Sequence, residues 1–205
     1  MSTQDQSNPA PSGDDPQRRT WLIATSVAGG VTVAATAVPF VASFGPSERA
    51  RAMVRSDPIE IGDIPPGGMK TVEWRGKPVW IVRRTQEMLA ALPTQVANLA
   101  DPNSLRDQQP PYARNATRSV RPDIFVAVGI CTHLGCLLVS SPAGAASPAK
   151  PSAWAGGFFC PCHGSYFDGA GRAYKDKPAP TNLEIPPHMF LSDTRLVIGE
   201  DSRSA

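Results

Sequence analysis

The chain has 205 residues, of which 22 are proline and 17 are glycine. This length leaves room for one modest domain and an anchoring or targeting segment, and the many turn-forming residues favour β structure. The formal charge of +2 comes from basic residues that are scattered along the chain. Proteins that bind nucleic acid concentrate Lys and Arg in a patch or stripe, so this pattern argues against a nucleic-acid partner.

The N-terminal region changes from polar to apolar. Residues 1–20 are polar and rich in Pro and Asp, and we expect a disordered tail because they cannot bury enough apolar surface. Residues 21–44 contain no charged residue and are about long enough, as a helix, to cross a bilayer. We predict a transmembrane anchor there. A cleaved signal peptide is the alternative, because Ala35-Thr36-Ala37 resembles a small-residue cleavage site.

Basic residues lie on both sides of the predicted span, so the positive-inside rule does not choose its orientation. Arg18-Arg19 resembles part of a twin-arginine export signal. Because that route exports domains already folded around a cofactor, it favours a cytoplasmic tail and a head outside the membrane. Residues 45–56 are mainly small and charged, and they fit either a flexible tether or an ordinary charged helix end.

Residues 57–205 form the predicted head, in which strands dominate. Lys70 to Trp74 and Val79 to Arg83 flank a turn at 75–78 and predict a hairpin. Thr85 to Ala97 has apolar residues spaced for one helical face, with Thr85 as a candidate N-cap, and predicts a short helix.

Two apolar runs lead into cysteine motifs. Ile124 to Ile130 ends at Cys131, and Phe158-Phe159 ends at Cys160, so we expect each motif to open a loop at the end of a strand. Further along the chain, a turn at 168–171 and closing strands at Leu183 to Ile185 and Arg195 to Ile198 are predicted.

All four cysteines and two of the three histidines lie in two short segments, CTHLGC at 131–136 and CPCHGS at 160–165. Thiolate suits iron, sulfide and zinc, and imidazole suits iron and zinc, so a [2Fe-2S] cluster and structural zinc are both candidates. Cys162 and His163 are neighbours whose side chains diverge in extended backbone, which argues against both binding one metal centre. The remaining spacing favours Cys131 with His133 and Cys160 with His163.

The two motifs, the predicted span, the β-rich head and a later Pro178-Ala179-Pro180 segment resemble the high-potential Rieske proteins, specifically the iron-sulfur subunit of bacterial cytochrome bc complexes. The resemblance implies a mainly β protein: an N-terminal transmembrane helix and a Rieske-type antiparallel β-sandwich head, with a cluster-binding part at about 125–182. It also implies one [2Fe-2S] cluster and a disulfide. The implied ligands are Cys131 and Cys160 on the buried iron and His133 and His163 on the other iron, and the implied disulfide joins Cys136 to Cys162.

The family's function implies that this chain oxidises quinol and passes the electron to a c-type cytochrome. The expected partners are cytochrome b and cytochrome c1 type subunits of a dimeric complex in a bacterial inner membrane, with the head in the periplasm. By resemblance, His163 hydrogen-bonds quinol and accepts its proton, with His133 as the second histidine of the catalytic site. Leu134 and Gly135 dock on cytochrome b, and Ser165 donates a hydrogen bond to the cluster.

The sequence departs from the family pattern at two places. Phe167 stands where many relatives have a tyrosine that donates to a cysteine sulfur, and Tyr166 lies one residue early. Since neighbours on a strand point to opposite faces, we expect Tyr166 not to replace that hydroxyl and the reduction potential to be lower. Asp176-Lys177 stands where relatives often have a glycine. We expect His188, outside both motifs, at the surface or a strand edge.

Two other functions fit a Rieske cluster. The first alternative is an electron-relay subunit of another membrane or periplasmic oxidoreductase, such as an arsenite oxidase. The second is the ferredoxin or oxygenase class, which the extra cysteine pair and the chain length disfavour. The anchor and the CTHLGC motif favour quinol–cytochrome c reductase.

Overall fold

The computed structural model describes residues 16–45, 57–142, 150–151 and 154–201. The chain divides into two units, Met1–Ala50 and Arg51–Ala205. Apart from Gly45, the predicted tether lies outside the described residues, as does the predicted tail before Pro16.

The N-terminal unit contains one helix, α1, Pro16–Ala42, whose 27 residues span about 40 Å. It is long and apolar enough to cross a membrane. The helix begins before Trp21, so the last residues of the predicted tail are helical instead of disordered. Proline is favoured in the first helical turn, where its missing N–H costs nothing, and the Thr20 hydroxyl donates to Pro16 O at 2.8 Å.

Hydroxyl side chains inside α1 bond to the helix itself. Thr25 Oγ1 donates to Trp21 O at 2.9 Å, and Ser26 Oγ donates to Leu22 O at 2.7 Å. A hydroxyl that bonds to the preceding turn leaves no unpaired donor to face hydrocarbon. The polar residues of the helix are therefore compatible with a membrane span.

The described part of the head contains antiparallel strands in three three-stranded sheets. The strands are β1 Ile59–Glu60, β2 Met69–Trp74, β3 Lys77–Arg83, β4 Ile124–Val128, β5 Val139–Ser141, β6 Gly157–Cys160, β7 Ser165–Asp168, β8 His188–Phe190 and β9 Arg195–Ile198. One sheet has the order β1-β9-β8, the second β2-β3-β4 and the third β5-β6-β7.

The predicted hairpin is β2 and β3, and its two-residue turn is Arg75-Gly76. Both turn residues have positive φ, 51° and 74°, which is the geometry of the tight turns whose twist matches paired strands. β3 is the central strand of its sheet, and all of β4 is buried. β4 therefore approaches the first cysteine motif through the core.

The predicted helix at 85–97 is divided into two pieces. An α-helix, α2, covers Gln86–Ala91, and a 3-10 helix covers Pro93–Asn98. Thr85 is the N-cap as predicted, because its hydroxyl accepts from Met88 N at 3.3 Å. Pro93 has no N–H and cannot continue the α-helical hydrogen bonds, which explains the division.

The prediction of a strand at Leu183 to Ile185 is wrong. Leu183 N donates to Gly171 O and Ile185 N donates to Gln108 O, each at 2.8 Å, whereas Glu184 O accepts from Val128 N of β4 at 2.9 Å. The segment therefore bonds to three separate parts of the head and pairs with no single strand along its length. Both side chains are buried. Their apolar character reflects core packing without a β-ladder.

His188 belongs to β8, which is an edge strand, but its side chain is only 2% exposed. The expectation of a surface histidine is therefore wrong, whereas the strand edge was predicted correctly. Nδ1 lies 2.9 Å from Pro186 O, and the Tyr112 ring packs edge-on at 5.7 Å between centroids. Burial lowers the pKa of His188, so the neutral imidazole is favoured.

Candidate metal centre

The first cysteine motif forms a tight loop after β4. Cys131 N donates to Cys136 O at 2.8 Å, and Gly135 N donates to Cys131 O at 3.1 Å. Gly135 has a φ of 79°, which residues with a Cβ adopt only at a cost. The loop projects His133 and Leu134 from its turn.

The second motif forms a similar loop between β6 and β7. Cys160 and Ser165 are paired at the ends of these strands, and Gly164 N donates to Cys160 O at 3.0 Å. Gly164 has a φ of 73°. The same hydrogen bond, from a glycine N–H to the backbone oxygen of the first cysteine, therefore occurs in both loops. Each loop begins at a buried cysteine and carries a histidine in its turn.

A disulfide joins the loops between Cys136 and Cys162, with their Cα atoms 6.6 Å apart. This is the pair that the family resemblance implied. The sulfur atoms of these two cysteines and of Cys160 lie within 4.8 Å of one another. Since the disulfide occupies two of them, the thiols available for a metal are Cys131 and Cys160, which are 2% and 1% exposed.

The two histidines face each other across the loops. The ring centroids of His133 and His163 are 4.9 Å apart at an interplanar angle of 87°. His133 is partly buried and His163 is exposed. The buried Nδ1 of His133 has no hydrogen-bond partner among the described residues. An unpaired buried nitrogen is costly, and a metal bond would satisfy it, so this atom fits a ligand role.

The buried thiol of Cys131 also fits a metal ligand. Burial raises its pKa, as does the neighbouring Cys160, whereas hydrogen bonds from the His133 backbone and from Ser165 lower it. A thiolate in such a dry position needs a positive partner, which iron supplies. Two buried thiols beside two imidazoles match the donor set of a Rieske [2Fe-2S] cluster.

A third segment, 178–181, closes the site. Ala179 N donates to the buried Ser165 Oγ at 3.0 Å, and Thr132 Oγ1 donates to Thr181 O at 2.7 Å. The Ser165 hydroxyl accepts from Ala179, and its own hydrogen remains available for the Cys131 sulfur. Each cysteine loop is therefore bonded to this proline-containing segment.

Tyr166 and Phe167 lie on opposite faces of β7, as predicted. Phe167 packs in the same buried cluster as Cys131 and Cys160. Tyr166 packs in a separate cluster, with its ring centroid 5.3 Å from that of Trp154. The tyrosine hydroxyl is therefore on the face away from the free thiols.

Sequence reasoning missed a buried charged network behind the site. Arg84, Arg118 and Arg172 are almost fully buried, and Asp168 is 0% exposed. Asp168 Oδ2 accepts from Arg172 Nε at 2.7 Å, and its Oδ1 accepts from Arg172 N and Ala170 N. Arg84 and Arg118 look like ordinary basic residues in the sequence, because only the fold brings them to the turn after β7.

Burial lowers the pKa values of Arg84 and Arg118 to about 10, so both stay charged at neutral pH. Their charge is dispersed over backbone carbonyls. Arg84 contacts Thr117 O, Pro122 O and Gly169 O, and its guanidinium lies 5.1 Å from the centroid of the Phe125 ring.

Comparison with known proteins gives two family matches. Residues 106–187 match the Rieske [2Fe-2S] domain, and residues 8–47 match the ubiquitinol-cytochrome C reductase Fe-S subunit TAT signal. The ubiquinol-cytochrome c reductase iron-sulfur subunit of Allochromatium vinosum is 51% identical over 189 residues, which cover 92% of this chain and 91% of that protein. This chain belongs to the Rieske iron-sulfur subunit family.

Two further relatives extend the comparison. The subunit with the same name from Rhodospirillum rubrum is 39% identical over 92% of this chain and 94% of its own length. The mitochondrial cytochrome b-c1 complex subunit Rieske-1 of Arabidopsis thaliana is 43% identical over 69% of this chain and 44% of its own length. The prediction of a mainly β Rieske protein with a [2Fe-2S] cofactor is therefore confirmed.

Proposed function

We propose that this chain is the electron-transfer subunit of a membrane-bound ubiquinol–cytochrome c reductase, in which it oxidises quinol and passes the electron to a c-type cytochrome. One observation carries the proposal. Two imidazoles meet at the tips of the disulfide-linked loops, with His133 partly buried and His163 exposed. The relatives whose names state this activity match over 91% and 94% of their lengths, which supports it.

The ligands in this proposal are Cys131, His133, Cys160 and His163. When bound, the [2Fe-2S] cluster accepts one electron, and imidazoles in place of two thiolates make this acceptance more favourable. The unpaired His133 Nδ1 and the two buried thiols support this ligand set. The Cys136–Cys162 disulfide holds the two loops together and limits their separation.

His163 is the residue that contacts quinol in this proposal. Its ring is exposed, so the nitrogen that does not bind iron can hydrogen-bond a quinol hydroxyl and accept its proton. His133 is less exposed and serves as the second histidine of the catalytic site. Ser165 is buried beside Cys131, where its hydroxyl can donate to the cluster.

Leu134 and Gly135 form the proposed docking point for a cytochrome b type subunit. Leu134 is 71% exposed at the turn between the two first-motif cysteines. An exposed leucine beside His133, whose ring faces the exposed His163, provides an apolar contact that can exclude water around a bound quinol. The Leu134 side chain is thus available to a partner without rearrangement of the loop.

The helix α1 is the proposed single membrane anchor, with the preceding tail in the cytoplasm and the head in the periplasm of a bacterial inner membrane. The match of residues 8–47 to a twin-arginine signal family supports this orientation, since that route exports folded domains. Residues 45–56 would then be the tether. Cytochrome b and cytochrome c1 type subunits in a dimeric complex complete the proposal.

Quinol-dependent reduction of cytochrome c by membranes that contain the full chain tests this function. We expect Leu134→Asp to abolish the activity and to keep the electron paramagnetic resonance signal of the dithionite-reduced cluster. Leu191→Asp is the matched control, because Leu191 is 48% exposed in the turn between β8 and β9, outside both cysteine loops, and it should retain activity. Full activity of Leu134→Asp, or a protein that contains zinc and no iron, would contradict the proposal.

A further inference from the structure

The 178–183 segment beside the candidate metal centre has few regular backbone bonds of its own. It contains two prolines, which lack N–H groups, and it belongs to no strand. Yet its Ala179 amide must stay in place to bond Ser165 Oγ at 3.0 Å. Its position therefore depends on side chains from elsewhere in the head.

Arg118 is the most extensively bonded of these side chains. It is 0% exposed, and its NH2 group donates to Leu183 O at 2.7 Å and to Gln109 Oε1 at 2.9 Å. Its NH1 group donates to Ala170 O and Gly171 O at 3.1 and 3.2 Å. One guanidinium thus joins the turn after β7 to the C-terminal end of the 178–183 segment.

A second path leads from Arg118 to the middle of the same segment. Gln109, which accepts from Arg118, uses its amide nitrogen to donate to Ser104 O and Arg106 O. Arg106 NH1 in turn donates to Pro180 O. Arg118 is therefore connected to two points on the C-terminal side of Ala179, at Pro180 through Gln109 and Arg106 and at Leu183 directly.

We propose that Arg118 is a positioning residue for the redox centre, which acts by holding Ala179 N against Ser165 Oγ. With that bond in place, the Ser165 hydroxyl has one acceptor site filled, and its hydrogen is directed to the Cys131 sulfur. Without the bond from Ala179 N, the Ser165 hydroxyl can rotate, and its hydrogen bond to the Cys131 sulfur is lost for part of the time. This inference rests on the proposed function, since it names a residue that tunes the same centre.

Arg118→Lys tests the proposal because it keeps the buried charge and removes the planar fork that binds four acceptors. Arg84→Lys is the matched control. Arg84 is 3% exposed and also donates to the turn after β7, at Gly169 O. Within the described residues, it makes no hydrogen bond to the 178–183 segment. A merely structural role predicts the same consequences for both variants.

The first measurement is hydrogen–deuterium exchange of the full, detergent-solubilised chain. Because Pro178 and Pro180 have no amide hydrogen, Ala179 supplies the only exchanging amide of that tripeptide. We expect faster exchange there in Arg118→Lys and unchanged exchange in Arg84→Lys. Equal exchange in the wild type and Arg118→Lys would overturn the proposal.

The second measurement is the midpoint potential of the cluster, followed by its electron paramagnetic resonance signal. We expect Arg118→Lys to lower the potential in the wild-type background and to cause no further shift in Ser165→Ala. Equal shifts in both backgrounds would overturn the proposal, because Arg118 would then act independently of Ser165. Neither measurement needs quinol, whereas the proposed function is tested by quinol-dependent reduction of cytochrome c. Failure of the proposed function and failure of this inference are therefore distinguishable.

A gentler variant covers the case in which Arg118→Lys does not fold. Arg106→Gln removes an exposed side chain that donates to Pro180 O, so it should leave the core intact. We expect a smaller increase in Ala179 exchange and a smaller fall in potential. If Arg118→Lys does not fold, normal values for both quantities in Arg106→Gln would overturn the proposal.

Discussion

Replacing Phe167 with tyrosine is expected to raise the reduction potential of the cluster. Phe167 is fully buried and packs with Cys131 and Cys160. The neighbouring Tyr166 already has a hydroxyl, but its ring packs against Trp154 and Phe159 on the other face of β7. A new hydroxyl at position 167 is therefore placed on the face of the cysteine sulfurs, where it can stabilise the added negative charge.

The size of the shift follows from the strength of the new hydrogen bond. A hydrogen bond to a charged acceptor contributes about 1.5–3 kcal/mol, and only the part that strengthens on reduction changes the potential. If that part is about one third, the reduced state gains about 0.5–1 kcal/mol relative to the oxidised state. Since 1.36 kcal/mol corresponds to 59 mV for one electron, we expect a rise of about 20–45 mV.

A redox titration followed by electron paramagnetic resonance measures this shift. Phe159→Tyr is the matched control, because Phe159 packs in the cluster of Tyr166 on the far face of the sheet. Its potential should equal that of the wild type. An unchanged or lower potential in Phe167→Tyr, with the cluster content intact, would refute the hydrogen-bond explanation of the family difference.

Other variants test the network behind the site and the core. Asp168→Ala leaves Arg172 buried without its carboxylate and should lower the free energy of unfolding by about 3–5 kcal/mol, measured by thermal unfolding. Asp193 is exposed, so Asp193→Ala should lower the same free energy by less than about 0.5 kcal/mol. Because burial lowers the pKa of His188 in the folded state, its contribution to the free energy of unfolding is complete above about pH 6.5 and is lost as the pH falls towards the folded-state pKa. His188→Phe should therefore make the melting temperature less sensitive to pH below about 6.5. Gly157→Ala should prevent soluble expression, because its Cβ would overlap the Phe167 backbone oxygen of β7 at a φ of 149°.

The elements that the sequence predicted correctly depend on local chemistry. The β2–β3 hairpin follows from a two-residue turn that only certain residues favour, and the Thr85 cap follows from a hydroxyl that reaches the backbone three residues on. The prediction of a strand at Leu183 to Ile185 was wrong because apolar residues on either side of a glutamate indicate burial, and burial alone does not specify a ladder. The expectation of a surface position for His188 was wrong for a related reason, since a polar side chain gives no sign that the fold will cover it.

The sequence by itself determined the chemistry of the centre. Two motifs, each with a cysteine, a histidine and a second cysteine at short spacing, define the candidate ligands because a loop of that length brings its own side chains together. Only the tertiary structure decided what supports them. Arg118 meets Leu183, and Arg84 meets Gly169 in the turn that Arg118 also binds, through contacts between distant segments. Such contacts depend on how the strands pack, and residue spacing contains no record of them.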